Sequence, residues 1–390
     1  MTEATQHLHA CSGEDGRFEA DIPAVCVQNH AANLMPLTNG DIGCVWFGGT
    51  QEGIADISIY FSRLTKDAAS WTIPVKLSED LTRSEQNPIL FPAPDGKLWL
   101  LYTAQKSGNQ DTAIVRYRVS DDNGETWGPI GTLFEKAGTF VRQPVVVLDN
   151  GDWLIPVFYC RTTPGDKWVG NNDISAVMIS TDQGKSWREY EVPDSVGCVH
   201  MNIEKMPDGS LFALFRSRWA DNIYSSRSHD NGRTWSAPQP TELPNNNSSV
   251  QFTRLANDHL AVVFNDISSA QATERRLSLY DEIEDESDAP QDSPSPVELK
   301  PAGGKTAFWG TPRAPMTLAI SEDGGKTWPY KRNLEVGDGY CMSNNSANKV
   351  NREFSYPSIK QTSDGAIHIA YTYWRQKIKY VRVTEDWVKG

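Results

Sequence analysis

The chain has 390 residues, of which 38% are hydrophobic and 22% are charged, so it is too apolar for a disordered protein. It lacks the roughly 18-residue apolar run that a membrane-spanning helix needs, so we expect neither a transmembrane helix nor a membrane partner. The net charge of −13 makes the molecule repel nucleic acid and anionic surfaces, so an anionic ligand would need a local cluster of arginines.

Composition also favours one class of secondary structure. The chain holds 13 Trp, 13 Tyr and 13 Phe beside 29 Gly and 23 Pro, and these residues are typical of strands and tight turns. The six cysteines are scattered without a Cys-x-x-Cys pair, which excludes a zinc ribbon and predicts thiols rather than a disulfide scaffold. We therefore expect an all-β protein.

Taken in chain order, residues 1–16 read as an N-terminal tail without the apolar segment of a secretory signal. A strand near Ile22–Val27 follows. After it, six copies of a turn precede strands that alternate between apolar and polar residues. These turns are Thr38–Ile42, Pro94–Leu98, Asp149–Trp153, Pro207–Leu211, Ala256–Leu260 and Ser363–Ile367.

A second repeat lies between these turns and reads Ser-x-Asp-x-Gly-x-Ser/Thr-Trp. Its copies are Ser120–Trp127, Ser180–Trp187, Ser228–Trp235 and Ser321–Trp328. In such an octet the Asp hydrogen-bonds its own turn, the Gly takes a positive φ and the Trp packs between sheets. The aspartates Asp122, Asp182, Asp230 and Asp323 are therefore interpreted as structural.

The two repeats together predict a single β-propeller domain over residues 17–390, built of four-stranded blades. Six blades fit the count of turns. The long interval between Asp258 and Trp328 leaves a seventh blade open, and its acidic, Pro-rich part, residues 281–301, predicts an exposed inserted loop. The strand near Ile22–Val27 would close the ring.

The starts of the innermost strands are the candidate site, because they converge on the central channel of a propeller. They are Gln28–Asn33, Arg83–Pro88, Phe140–Pro144, Cys198–Asn202, Asn245–Ser249 and Arg352–Pro357. Together they offer His30 and His200, several arginines and amides, and Tyr356. That set suits a polar, anionic ligand such as an acidic sugar.

The octets resemble the Asp-box of sialidase-like propellers, in which the box lies on the outer rim. A sialidase of this superfamily is expected to carry an Arg in an early Phe-Arg-Ile-Pro-like segment. Here the comparable stretch is Phe18–Pro23, with Asp21 in place of the Arg, which argues against sialidase activity.

A closer resemblance runs along the full chain to L-rhamnose-α-1,4-D-glucuronate lyases, propeller enzymes that remove rhamnose from gum arabic. The segments that carry it are Asn29–Asn33, Trp46–Gly49, Arg83–Pro88, Val141–Pro144, His200–Asn202, Phe215–Trp219, Pro244–Ser249, Trp309–Pro315 and Arg352–Pro357. The resemblance implies β-elimination from an acidic plant polysaccharide, without a cofactor.

Such a reaction needs a cation, a base and an acid. We assign Arg142 and Arg313 to the substrate carboxylate, and His30 and His200 to proton transfer in either order, with Tyr356 competing for both roles. The remaining candidates would hold sugar hydroxyls and are Arg83, Gln86, Asn202, Arg218, Asn246 and Asn247.

Two other functions stay open. An exo-glycosidase of sialidase type would use a carboxylate pair such as Glu85 and Glu353. A non-catalytic glycan-binding propeller would not depend on either histidine.

For the remaining properties we expect a monomer, and we expect no nucleic-acid or metal site. The start of the chain favours a cytoplasmic location, whereas a role on plant gum favours a secreted, trimmed form.

Overall fold

The computed structural model describes residues 6–66, 68–162, 166–276, 278–280, 282–283 and 304–390. Strand β1 spans His9–Ala10 and β2 spans Phe18–Ile22. The next strands are β3 (Gln28–Pro36), β4 (Ile42–Gly49), β5 (Ser58–Leu64), β6 (Val75–Lys76), β7 (Arg83–Pro92), β8 (Leu98–Lys106), β9 (Asn109–Ser120) and β10 (Gly131–Phe134).

The middle of the chain continues with β11 (Thr139–Phe140), β12 (Val146–Val147), β13 (Trp153–Tyr159), β14 (Ile174–Ser180), β15 (Arg188–Glu191), β16 (Cys198–Lys205), β17 (Leu211–Ser217), β18 (Asn222–Ser228) and β19 (Gln239–Pro244). The last part has β20 (Gln251–Arg254), β21 (Leu260–Asn265), a short 3-10 turn (Ser269–Gln271), β22 (Met316–Ser321), β23 (Tyr330–Glu335), β24 (Phe354–Gln361), β25 (Ile367–Tyr373), β26 (Lys377–Val383) and the helix α1 (Glu385–Lys389).

The described strands form six antiparallel sheets, which confirms the six-bladed propeller. Blade I is β3–β6, blade II β7–β10, blade III β11–β15, blade IV β16–β19 and blade V β20–β23. Blade VI is β24–β26 completed by β2 and β1 from the chain's start. The innermost strand of each blade contacts the next blade around the ring, and β24 contacts β3.

The closing strand lies earlier than predicted, at Phe18–Ile22 instead of Ile22–Val27. It pairs with β26, with Phe18 opposite Arg382 and Ile22 opposite Ile378. Pro23 ends it because proline has no backbone N–H for the ladder. Part of the segment predicted as an N-terminal tail also belongs to the fold, since β1 pairs with β2 as a fifth strand of blade VI. The insertion predicted at 281–301 lies outside the described residues, apart from residues 282 and 283.

Six apolar cores fill the spaces between adjacent blades. The octets pin the outer edges. Asp122 accepts hydrogen bonds from the Thr126 N–H at 2.8 Å and from Ser120 Oγ at 2.7 Å, and Trp127 packs against Phe61 of the preceding blade. The hydrogen bonds from Thr126 and Ser120 lower the pKa of Asp122 to about 2. The octet aspartate therefore serves its own turn.

All six cysteines are free thiols. No helix among the described residues is long and apolar enough to span a membrane.

Candidate active site at the centre of the propeller

Backbone bulges at the starts of the innermost strands aim side chains into the channel. Ala31, Asn87, His200, Asn247 and Tyr356 all have left-handed backbones, with φ between 50° and 62°. The strand register shifts at these points, between His30 and Asn33 for example. In blade III the inner strand is interrupted instead, and Arg142 occupies the gap between β11 and β12. Left-handed non-glycine residues are uncommon and cluster at functional sites.

Tyr356 lies at the centre of the converging side chains. Its hydroxyl accepts a hydrogen bond from Arg216 Nη1 at 2.6 Å. The guanidinium carbons of Arg142, Arg216 and Arg313 lie 5.4, 5.6 and 5.6 Å from the centroid of its ring. Three guanidinium groups thus surround one aromatic ring in a molecule whose net charge is −13.

His30 packs against Tyr356, with ring centroids 4.3 Å apart, and is fully buried. Its Nδ1 lies 2.8 Å from Thr372 Oγ1, while Nε2 has no hydrogen-bond partner among the described residues. Burial, and then the charges of Arg375, Arg313, Arg142 and Arg216, lower the pKa of His30 well below its ordinary value of 6.5. The imidazole is therefore neutral at pH 7.

His200 approaches Tyr356 from blade IV, with ring centroids 5.7 Å apart. Its Nε2 lies 3.4 Å from Arg216 Nη1, and because a guanidinium only donates, Nε2 is the acceptor. A neutral ring then carries its proton on Nδ1, which has no partner in the described part of the chain. Burial and Arg216 lower the pKa of this histidine as well. The hydrogen bond from Arg216 therefore favours the tautomer of His200 whose Nδ1–H can donate to a ligand.

Arg216 is the residue that the sequence analysis missed. It is 1% exposed, and it donates through Nε to Asn247 Oδ1 at 2.8 Å. Nη2 has no partner among the described residues, and no ion pair to a described carboxylate is formed. Burial lowers its pKa to about 10. A buried cation without a counter-ion is costly for the fold, which is typical of a site awaiting an anion.

Arg142 forms the floor beneath Tyr356. Its Nη2 donates to the carbonyl oxygens of Ala32, Tyr356 and Pro357 at 3.1 to 3.2 Å, and its pKa is lowered by burial to about 10. The side chain therefore ties blades I, III and VI together below the tyrosine. Its charge faces the centre, but its donors are largely engaged.

Arg313 belongs to a buried chain of alternating charges. Its Nη1 donates to Glu353 Oε2 at 2.6 Å, Glu353 also accepts from Arg375, and Arg375 pairs with Glu52 at 2.5 Å. Burial would raise the pKa of Glu353, but the two guanidiniums outweigh it and keep the pKa below its ordinary value. Glu353 is therefore an ionised structural partner rather than a free acid.

Arg218 is engaged elsewhere. Its Nη2 lies 2.7 Å from Asp173 Oδ2, with both side chains buried, and its guanidinium lies over Trp168 and Trp309. Asp173 also accepts from the Trp168 indole at 2.9 Å. The pair holds the wall beside His200, so we assign Arg218 a positioning role.

Neutralising Asp173 tests that role. Asp173→Asn leaves the Arg218 charge buried and unpaired, and we expect a loss of about 3–5 kcal/mol in the free energy of unfolding. Urea unfolding measures it. The control is Asp149→Asn, which breaks the exposed ion pair with Lys205 and should leave the unfolding midpoint unchanged. An unchanged midpoint for Asp173→Asn would contradict the assignment.

The remaining candidate residues differ in whether their polar atoms already have hydrogen-bond partners. Asn247 accepts from Arg216 and donates to the Phe308 carbonyl, and Asn246 donates to the Pro312 carbonyl while its Oδ1 has no described partner. Gln86 donates to Ser84, and Asn202 accepts from the Phe252 N–H deeper in the channel. Arg83 is bound to the carbonyls of Ala104 and Thr112.

Glu85 does not join Glu353. It lies in an ion pair with Arg116 at 3.2 Å, between blades I and II, and burial raises its pKa.

Asp21 is likewise absent from the centre. It sits in β2 on the outer side of blade VI and pairs with Lys377 at 2.6 Å, so the comparison of Phe18–Pro23 with a sialidase arginine segment was wrong.

Side chains from the long interval of blade V cover the centre. Tyr280 is 2% exposed, contacts Gln105 and Gln110 through its hydroxyl, and packs beside Trp168. Arg142, Arg216, Arg313, His30, His200 and Tyr356 are all at most 6% exposed. These six side chains are thus shielded from water, which strengthens the charge interactions among them.

One group of possible metal ligands occurs in the described ranges. His259, Glu322 and Glu385 lie together beside α1, far along the chain from the channel residues. Lys389 places its ammonium 2.5 Å from Glu322 and 2.7 Å from Glu385. The lysine supplies the positive charge there, and the group fastens α1 to blade V.

Known proteins resemble this chain in sequence over parts of its length. A sialidase of Paraclostridium sordellii is 25% identical over 215 residues, which cover 48% of this chain and 52% of that protein. The match therefore spans about half of the sialidase. The photosystem II assembly lipoprotein Ycf48 of Prochlorococcus marinus (strain MIT 9312) is 23% identical over 155 residues, covering 40% of this chain and 37% of that protein.

Solved structures share the fold over almost the whole chain. The Hadza microbial sialidase Hz136 has a TM-score of 0.67 at 14% identity, covering 93% of this chain and 67% of that one. The leech intramolecular trans-sialidase also has a TM-score of 0.67 at 14% identity, covering 98% and 71%. A Dyadobacter fermentans protein has a TM-score of 0.66 at 15% identity, covering 95% and 99%.

The family described as a BNR repeat-like domain matches residues 40–369, which include all four octets and the strands from β4 to β24. Because this match covers most of the chain, the protein belongs to the BNR repeat-like domain family.

Proposed function

We propose that the protein is a polysaccharide lyase that releases terminal L-rhamnose from rhamnosyl-α-1,4-glucuronate caps and leaves a 4,5-unsaturated glucuronate. The observation that carries the proposal is Arg216, a buried cation whose Nη1 donates to the hydroxyl of Tyr356 and whose Nη2 has no partner among the described residues. The ring of Tyr356 in turn contacts two neutral histidines, each with a ring nitrogen that has no described partner.

The charge of the centre selects an acidic sugar. Arg216 and Arg142 have no described carboxylate partner, whereas Arg313 and Arg218 have one each. A uronate carboxylate would supply the missing counter-ion and would accept from Nη2, the guanidinium nitrogen of Arg216 that has no described partner. Once neutralised, that carboxylate makes the neighbouring C5–H of the sugar more acidic.

The geometry supports a division of roles. We assign His30 the tautomer in which Nδ1–H donates to Thr372 Oγ1, so that the unpartnered Nε2 carries the lone pair and His30 is the base that takes the C5 proton. Tyr356 accepts from Arg216 and keeps its own proton to give, so Tyr356 is the acid at O4. His200 donates from Nδ1 and orients the sugar.

The step balances in atoms and charge. The C5–H electron pair forms the C4=C5 bond as the C4–O4 bond breaks, and its electrons leave with O4, which receives the phenol proton of Tyr356. Arg216 stabilises the phenolate that results. A proton must then pass from His30 back to Tyr356, whose ring it contacts.

The amides would hold the hydroxyl groups. Asn246 offers an unpartnered Oδ1, and Asn247 fixes the plane of the Arg216 guanidinium. Gln86 approaches from blade II. The positive charges of Arg142 and Arg313 act on Tyr356 through space, without direct contacts to the substrate. We therefore assign the contact with the substrate carboxylate to Arg216 instead of to these two arginines.

A sialidase-type exo-glycosidase is the second candidate, favoured by the pairing of Tyr356 with a cation, since a tyrosine nucleophile is known in that chemistry. The acid it would need is less evident, because Glu85 and Glu353 are both held in ion pairs. A non-catalytic glycan-binding propeller remains the third reading.

Product analysis after incubation with gum arabic separates these candidates. Free rhamnose together with rising ultraviolet absorbance, from a C=C conjugated to carboxylate, is expected for the lyase. Rhamnose without absorbance would mean hydrolysis. Binding without any released sugar would mean a glycan-binding protein, and either result would overturn the proposal.

The pH dependence tests the role of His30. The base must be unprotonated, and its pKa is lowered by burial and the nearby arginines, so we expect kcat/KM to stay high below pH 6.5 and to fall only at more acidic pH. His30→Gln should remove this acid limb together with about 10²–10⁴-fold of the rate.

His200→Gln is the matched variant. It keeps a side-chain donor, so we expect a smaller loss and an acid limb like that of the wild type. An acid limb that vanishes in His200→Gln but persists in His30→Gln would exchange the two roles.

A further inference from the structure

A groove of about 650 Å³ opens between blades VI and I beside the buried centre. Its walls are residues 24–27, before β3, and the turn between β25 and β26, with Lys349 at one end. These walls lie at the same end of the propeller as Tyr356, because Tyr373 pairs with Phe354 at the start of β24. The proposed chemistry does not use this groove.

The turn between β25 and β26 belongs to both places. Arg375 points inward to Glu353 and Glu52, and its carbonyl accepts the N–H of Asn29, the residue before His30. Trp374, one position earlier, lines the groove. Adjacent residues of this turn therefore reach the two places, with Trp374 at the groove and Arg375 in the buried charge chain beside His30.

The groove is lined by an aromatic pair. The rings of Tyr373 and Trp374 are 4.9 Å apart with planes at 33°, and both are half-buried. The indole Nε1 of Trp374 has no hydrogen-bond partner among the described residues. Trp374 and Arg375 have left-handed backbones, with φ of 56° and 57°. They are the two central residues of the hairpin turn, which is closed by the Gln376 N–H donating to the Tyr373 carbonyl at 3.0 Å, and a turn of this type requires a positive φ at both positions.

The charge at the groove opposes that of the molecule. Lys349 and Lys377 both line it, whereas the chain as a whole carries −13. Lys377 is anchored by Asp21 and lies 4.8 Å from the centroid of the Tyr373 ring. Lys349 is exposed. Because Asp21 neutralises Lys377, the groups that suit a sugar ring with a carboxylate are the aromatic faces, the amide of Gln376 and the exposed ammonium of Lys349.

From these observations we propose that the groove is a binding subsite for the inner sugar residues of an acidic oligosaccharide whose terminal unit occupies the centre. This inference rests on the proposed function, since it assumes that the centre takes a glycan end. It adds a preference for longer acidic chains over a minimal disaccharide.

The kinetic test compares two substrates. For Trp374→Ala we expect KM on gum arabic oligosaccharides to rise about tenfold while kcat, and the kinetics on a rhamnosyl-glucuronate disaccharide, stay unchanged. Trp374→Phe keeps an aromatic face and should retain most of the affinity. Equal losses on both substrates, or no change on either, would overturn the subsite.

A second variant that changes only an exposed charge tests the subsite without the risk that Trp374→Ala disturbs the fold. Lys349→Gln changes an exposed side chain, and we expect it to weaken oligosaccharide binding in the same direction as Trp374→Ala. The control is Lys185→Gln, an equally simple loss of an exposed lysine, in the octet turn of blade III. Equal effects of the two lysine variants would indicate bulk charge instead of a subsite, and would overturn the proposal.

Direct binding separates this inference from the proposed reaction. Titration calorimetry with the same oligosaccharides reports on the groove whether or not the protein cleaves them. Binding that weakens in Trp374→Ala, in a protein without lyase activity, would support the groove while the reaction fails.

Unchanged binding in Trp374→Ala would overturn the groove alone. A wild-type dimer that Val25→Asp converts to a monomer would instead make this face, where Val25 is 48% exposed, an interface between copies of the chain.

Discussion

Arg216→Gln is expected to reduce kcat/KM on a rhamnosyl-glucuronate substrate by about 10²–10³-fold, the effect of removing one preorganised donor to a developing negative charge. The variant loses the contact to the substrate carboxylate and the contact that stabilises the Tyr356 phenolate. The rate of the ultraviolet absorbance change measures it. Arg216→Lys should lose nearly as much, because an ammonium cannot reproduce the fork that reaches Asn247 and Tyr356 together.

The Tm of the Arg216→Gln variant distinguishes a role in the reaction from a role in supporting the fold. A buried charge without a counter-ion destabilises the folded state, so Arg216→Gln should leave the Tm unchanged or raise it while activity falls. Arg188→Gln, on the exposed outer strand of blade III, is the control and should change neither quantity. A large fall in Tm for Arg216→Gln would mean that the residue mainly supports the fold.

The sequence predicts the architecture well because each blade repeats a local signal. The octets and the turns that follow the inner strands each need specific residues for local reasons, namely Asp for its own turn and Gly for a positive φ. The closing strand has no such signal. Its position depends on pairing with β26, at the far end of the chain, and on Pro23 ending the ladder.

The centre is less predictable because the direction of a side chain depends on strand parity and on bulges. Arg216 and Arg218 occur two residues apart and look alike in the sequence. In the structure one reaches Tyr356 and the other pairs with Asp173, a residue from blade III. No local pattern encodes that partner. The same holds for Glu353, which is bound by Arg375 across the sheet.

The polar starts of the inner strands nevertheless identified the region. Of the residues that the sequence analysis proposed as catalytic, four surround the ring of the fifth, Tyr356; they are His30, His200, Arg142 and Arg313. Their convergence follows from the propeller itself, because every blade delivers the same end of its inner strand to the channel. Which of them keep free hydrogen-bonding atoms is a property of the packed structure alone.

Tyr356→Phe is expected to lower kcat by about 10²–10⁴-fold, the range of general acid catalysis, with little change in KM. The ring stays, so the contacts with His30 and the three arginines persist, and only the hydroxyl that Arg216 holds is lost. Single-turnover absorbance measurements report on the chemical step itself. A residual activity close to that of the wild type would remove Tyr356 from the reaction.

The leaving group decides between an acid and a nucleophile. An acid is needed less as the departing oxygen becomes a better leaving group, so an activated aryl group at O4 should restore much of the Tyr356→Phe rate if the tyrosine is the acid. A nucleophile is needed whatever departs, so an activated aryl sialoside would not rescue the variant in a sialidase-type mechanism. Rescue on the uronate substrate together with rising absorbance is expected, because Arg216 is placed to stabilise a phenolate that forms by proton donation.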